Sequence, residues 1–132
     1  MIKIQEGYGK YKIILNTARS GKDLTVIVYG GEKPHIGAVA ISIPRPSLKD
    51  PQKTSTSTSV ITLVGHKEDD LAKNIAEEIT RITKNITIAI VGLHIEKASL
   101  RDIEILILNT QKLVNRLKYL LKENKFDNVD VN

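Results

Sequence analysis

Cysteine is absent from this 132-residue chain, and so is tryptophan. Without cysteine, disulfide bonds and thiolate metal sites are excluded. Aromatic residues make up only 4% of the chain, so the core has to be built from branched aliphatic side chains, isoleucine above all. The same scarcity leaves few platforms on which nucleobases could stack. No apolar run approaches the ~20 residues of a membrane-spanning helix. The opening residues MIKIQE put charges where a secretion signal needs an apolar stretch. These absences lead us to expect a cytoplasmic protein with no membrane partner. The length suits one domain, residues 1–132, large enough to bury a core without staples.

Basic residues are in modest excess, with a formal net charge of +5. Such a balance can favour nucleic acid, phosphate-bearing ligands or acidic partners. Here the basic residues are spread along the chain, so nucleic acid is not the expected partner. Abundant isoleucine and lysine, no cysteine and one methionine suit a thermophile, or equally an AT-rich genome.

The apolar pattern predicts strands over residues 11–17, 23–29, 35–43 and 58–64, with a hairpin turn at 18–22. Between the third and fourth lies a long connection, residues 45–58, carrying prolines and a Ser/Thr tract. Leu71, Ile75, Ile79 and Ile82 fall on one helical face, predicting a helix over 68–84 with Glu68, Asp69 and Asp70 complementing its dipole. Residues 86–91 form a near-continuous apolar run, which predicts a central strand covered on both faces. Ser99 and Asp102 resemble a capping box that opens a last helix over 100–123. Its first half is apolar nearly all round, so burial on two sides is expected there, as at a subunit interface. Residues 124–132 form a tail expected to fray. The result is an α+β domain with a mainly antiparallel sheet, order β-β-β-β-α-β-α, and two helices packed on one face.

All three histidines neighbour glycine at predicted strand ends: His35 before Gly37, His66 after Gly65, and His94 just past Gly92. Three imidazoles with an open coordination position would suit a catalytic divalent metal such as Zn²⁺. None of the pairs has the short helical spacing of a zinc-binding motif. Phosphate is a second option. Gly65-His66-Lys67 enters a helix N-terminus, although three carboxylates follow it. Arg45, between Pro44 and Pro46, sits on a stiffened segment and offers bidentate recognition of phosphate. The run Ser55-Thr56-Ser57-Thr58-Ser59 could add hydroxyl donors. No strained nucleophile elbow is present.

The segments Pro34-His35-Ile36-Gly37, Pro44-Arg45-Pro46-Ser47, Gly65-His66-Lys67-Glu68-Asp69 and Gly92-Leu93-His94-Ile95-Glu96 together resemble the prenylated-flavin chaperone-like domain of the gallate decarboxylase D subunit. The resemblance covers residues 7 to 122. It implies a non-catalytic protein that binds prenylated FMN, or FMN, and helps mature a UbiD-type decarboxylase. It also implies a fold related to proteasome-assembly chaperones, which commonly form dimers, so a homodimer is expected. The matching motifs, joined to the chemistry above, make His35, Gly37, Arg45, Ser47, His66, Lys67 and His94 the candidate flavin-binding residues. Two rival readings remain at this point: a metal-dependent hydrolase built on His35, His66 and His94, and an assembly chaperone with no small ligand that acts through its last helix.

Overall fold

A computed structural model of the chain describes residues 1–63 and 68–125. The elements are β1 (Ile2–Glu6), a 3-10 turn (Gly9–Tyr11), β2 (Ile13–Ser20), β3 (Asp23–Gly31), β4 (Ala38–Pro46), β5 (Thr54–Thr62), α1 (Glu68–Thr83), β6 (Thr87–His94) and α2 (Leu100–Lys122). The α+β class and the mainly antiparallel sheet are as the sequence predicts. Five strands precede α1, however, where four were expected. The additional one is β1, whose alternation of Ile2 and Ile4 with Lys3 and Gln5 is short but period-two. The Ser/Thr tract is not loop either: it forms β5, pairing with β4 from Thr54 to Thr62. The connection therefore shrinks to a tight turn, closed where Ser47 N–H donates to the Lys53 carbonyl at 2.8 Å.

The six strands lie in the order β1-β2-β3-β6-β4-β5. The first strands do not form a simple meander, because β6 returns through α1 and inserts between β3 and β4. It runs parallel to β3 and antiparallel to β4. Every other neighbouring pair is antiparallel.

Period-two alternation sends one set of side chains to a single face. Ile4, Leu15, Val26, Ala40, Ala89 and Val91 belong to it, and all are buried. Both helices cover that face. α1 lies over β4, β5 and β6, and α2 lies over β1 and β2. α1 contributes Ala72, Ile75, Ala76 and Ile79, and α2 contributes Leu106, Leu113, Val114 and Leu117. Small residues sit where α1 crosses the sheet: Ala38, Ala40 and Ala89 are fully buried, letting helix and sheet approach closely.

The second face of the sheet carries no helix. β6 is central but covered on one side only, and its Ile88 and Ile90 are half-buried on the open side. The over-apolar start of α2 is likewise covered on one side within the chain, leaving Ile107 40% and Leu108 55% exposed. Among the described residues, no helix is long and apolar enough to cross a membrane. The expectations for Gly65, His66, Lys67 and residues 126–132 lie outside the described residues.

Candidate functional site

The candidate residues that the structure describes, His35, Gly37, Arg45, Ser47 and His94, fall at two ends of the open face. At one end, residues 32–37 leave β3 and cross the C-terminal end of β6. The crossing is possible because Gly92 has no side chain: a Cβ there would overlap the His35 carbonyl oxygen. Gly37 plays a similar part, since its missing side chain leaves room for the Glu68 carboxylate. Glu68 opens α1 and is buried. Its Oε1 accepts the Leu93 N–H at 3.2 Å and lies 3.3 Å from His35 Nε2. Its Oε2 has no partner among the described residues.

His35 is held from both ring nitrogens. Nδ1 lies 3.1 Å from the Lys33 carbonyl, so it carries the proton and donates. A neutral imidazole has only that one N–H. The contact at Nε2 therefore needs an additional proton on the ring or on Glu68. His94 meets His35 edge to face, with ring centroids 6.1 Å apart. Its Nε2 turns to Glu96 Oε2 at 3.2 Å, an oxygen that Lys33 Nζ also reaches at 3.2 Å. The hydrogen bond from His94, and then the one from Lys33, holds the Glu96 carboxyl below the usual carboxylate range.

The two histidines thus address different carboxylates rather than one shared point. Among the described residues, no group of three His, Asp or Glu side chains is placed to hold a metal ion. Glu32 Oε1 accepts the Glu96 N–H at 3.2 Å, so Glu32, Glu68 and Glu96 all lie at this end, with Lys33 paired to Glu96.

Arg45 and Ser47 lie at the opposite end. Arg45 follows Ala38 by seven strand residues, about 23 Å at ~3.3 Å per residue, and Ala38 is registered with Val91 near the histidine end. Of the five candidates among the described residues, Arg45 and Ser47 therefore lie apart from His35, Gly37 and His94. The Arg45 guanidinium is oriented by Ser57 Oγ at 3.0 Å from Nε and by the Pro46 carbonyl at 3.1 Å from one terminal nitrogen. Ser47 Oγ accepts the Lys49 N–H at 3.3 Å, so this hydroxyl shapes the turn. A shallow cleft of about 250 Å³ adjoins, lined by Arg45, Lys53 and Lys84 with Pro44, Pro46 and Thr54. Three cations and no carboxylate line it.

Between the two ends runs the open face of β3, β6 and β4. It presents Thr25, Ile27 and Tyr29, then Ile88 and Ile90, then Val39, Ile41 and Ile43. None of these is charged, although charged residues make up 27% of the chain. Ile41 and Ile43 are 37% and 47% exposed. Sequence reasoning missed this face and the buried Glu68. The isoleucines of residues 86–91 read as a doubly buried strand, and Glu68 read as one member of an acidic first turn.

This face is aliphatic, free of charge and bounded by polar ends. The comparisons with known proteins agree on the kind of protein. The model of the prenylated flavin chaperone LpdD-like domain matches residues 7–122. The chain belongs to this family. Its members are chaperones by description, and the sequence-level resemblance to the prenylated-flavin chaperone-like domain is thereby confirmed. The fold is also similar to that in a crystal structure of a chaperone complex for yeast 20S proteasome assembly, with a TM-score of 0.51 at 16% identity. That likeness covers 92% of this chain and 95% of the other. It concerns the fold alone. No curated protein matches the chain.

The residues of this family member fit a flavin in a specific sense. The guanidinium of Arg45, oriented by Ser57 and Pro46, has the chemistry that suits a phosphate, and the adjoining isoleucines have the apolar character that suits a ring system. Aromatic stacking is not on offer: the face carries only Tyr29, whose hydroxyl accepts from Asn16 Nδ2 at 3.3 Å.

Proposed function

We propose that the protein is a non-catalytic carrier of prenylated FMN that passes the cofactor to a UbiD-type decarboxylase in the cytoplasm, acting as a homodimer. The observation that carries this reading is the charge-free isoleucine face with Arg45 at its margin. Family membership supplies the flavin. Arg45 and Ile43 share the open side of β4 two residues apart, so the phosphate belongs at Arg45 and the ring system against Ile43, Ile41 and Ile88. When bound, the prenylated flavin supplies the prosthetic group on which such decarboxylases depend. The role of this chain is to orient it and shelter its apolar surface until transfer.

The histidine end has a different part in this reading. Its carboxylates disfavour phosphate, so His35, Gly37 and His94 meet the far edge of the ligand or the acceptor enzyme. The carrier reading is preferred to a hydrolase because His35 and His94 turn their Nε2 atoms to separate carboxylates.

Anaerobic titration with reduced prenylated FMN, beside FMN and prenylated riboflavin, tests the proposal by absorbance and native mass spectrometry. Saturable binding of the prenylated forms is expected, one per subunit. The phosphate-free form should bind at least about tenfold more weakly, the loss of a charge-assisted pair. The absence of saturable binding for any flavin would refute the carrier role.

A further inference from the structure

β5 is the outermost strand on its side of the sheet. An edge strand offers a row of unpaired N–H and C=O groups, and proteins ordinarily blunt it with lysine, proline, a bulge or brevity. β5 uses none of these. The segment TSTSTSVIT runs for nine residues without a charge, a proline or a glycine, and its register with β4 is unbroken. The opposite edge, β1, has five residues and includes Lys3 and Glu6.

The direction of the free groups follows from two hydrogen bonds. Leu63 N–H donates to the Gly37 carbonyl, and Ser47 N–H donates to the Lys53 carbonyl, each at 2.8 Å. Both turn the odd-numbered residues of this strand toward β4. Hydrogen-bonding direction alternates along a strand, so Thr54, Thr56, Thr58, Val60 and Thr62 turn their backbone groups outward. Their side chains lie on the helix side of the sheet, and the three serines and Ile61 lie on the open side.

We propose that this edge pairs antiparallel with β5 of a second copy, about a twofold axis at Thr58. In that register Thr58 meets its own counterpart, Thr56 meets Val60, and Thr54 meets Thr62. Every pair joins two outward-facing residues, so each free N–H finds a C=O. A slip by one residue would oppose outward groups to inward ones and exchange the faces. A slip by two leaves the ends unpaired. No like charges meet across the seam, and the threonine pairs pack well between antiparallel strands. The contact is isologous, as a twofold dimer requires. It yields one continuous sheet with all helices on one side and the isoleucine faces of both copies open on the other. This inference rests on the homodimer proposed above and not on flavin binding.

Because the chain has no cysteine, single-cysteine variants of the full chain test the register. Across the axis, the two copies of residue 58 lie ~5.5 Å apart, within disulfide range. The two copies of residue 62 lie about 26 Å apart, eight residues along the strand. Thr58→Cys should oxidise to a covalent dimer at least about tenfold faster than Thr62→Cys. Thr56→Pro removes an outward N–H that a lone chain does not use, which an edge strand tolerates. Sedimentation should show a wild-type dimer whose dissociation constant rises at least about tenfold in Thr56→Pro, with the melting curve checked for an intact fold. A monomeric wild type, equal cross-linking at 58 and 62, or a Thr56→Pro dimer that Ile41→Lys abolishes would each overturn the proposal. The last would place the contact on the open face instead.

Discussion

Gly92 shows how a single absent side chain shapes the candidate site. Residues 32–37 can lie across β6 only because nothing projects from residue 92, and the His35 carbonyl fills that space. Gly92→Ala is expected to lift this segment or distort β6, at a cost of about 3 kcal/mol in chemical denaturation. An unchanged midpoint would show that the segment is not held there. Asp102 is a second decisive residue. It accepts from the Tyr11 hydroxyl and closes the capping box with Ser99, while Lys10 Nζ lies 3.5 Å away. The Tyr11 hydrogen bond, followed by the backbone bond from Ser99, lowers its pKa from 3.8 to about 2. A depressed carboxyl stabilises the fold at pH values above its unfolded pKa. That contribution is complete above about pH 4 and is lost as pH falls toward 2. Acid titration followed by circular dichroism should show an unfolding limb in this window, shallower in Asp102→Asn. Equal acid sensitivity in the variant would remove Asp102 from the account.

The helices and strands differ in how openly their sequences declare burial. α2 reads as a helix from its capping box and its spacing, and the structure realises both. Which side is covered is a separate matter. Leu117 and Leu113 are fully buried against the sheet, whereas Leu108 is 55% exposed. Leu117→Ala should therefore cost about 2–5 kcal/mol, and Leu108→Ala less than about 0.5 kcal/mol. If Leu108→Ala weakened self-association measured by sedimentation, the last helix would be an interface as the apolar count suggested. β5 carries the opposite lesson. Alternating serine and threonine look like a polar loop, since neither type signals a core. Pairing with β4 makes them a strand, because the backbone hydrogen bonds of β4 need a partner, and α1 lies over the pair.

For the whole molecule, the division of charge matters most. Three cations line the cleft at Arg45, Glu32, Glu68 and Glu96 lie with Lys33 at the histidine end, and the face between them is neutral. A flavin held by its phosphate at Arg45 should bind more weakly as salt rises, through screening of an exposed charge pair. Arg45→Ala should lose about tenfold in affinity for prenylated FMN and flatten that salt dependence. His94→Ala should leave phosphate-dependent affinity unchanged. Titrations at two ionic strengths distinguish these cases, and a His94→Ala loss matching that of Arg45→Ala would move the phosphate to the histidine end.

The sequence by itself determined both helices, most of the strands, the α+β class, the aliphatic core, the α2 cap and the family, because these follow from local periodicity, composition and contiguous motifs. Only the tertiary structure decided where those elements meet. It placed β6 between β3 and β4, left one face of the sheet bare, buried Glu68 against Gly37 and His35, and set Arg45 and His94 at opposite ends. The physical reason is that residues joined by strand register are distant in sequence. Hydrophobic periodicity tells a residue which way to point, while strand order determines what it points toward.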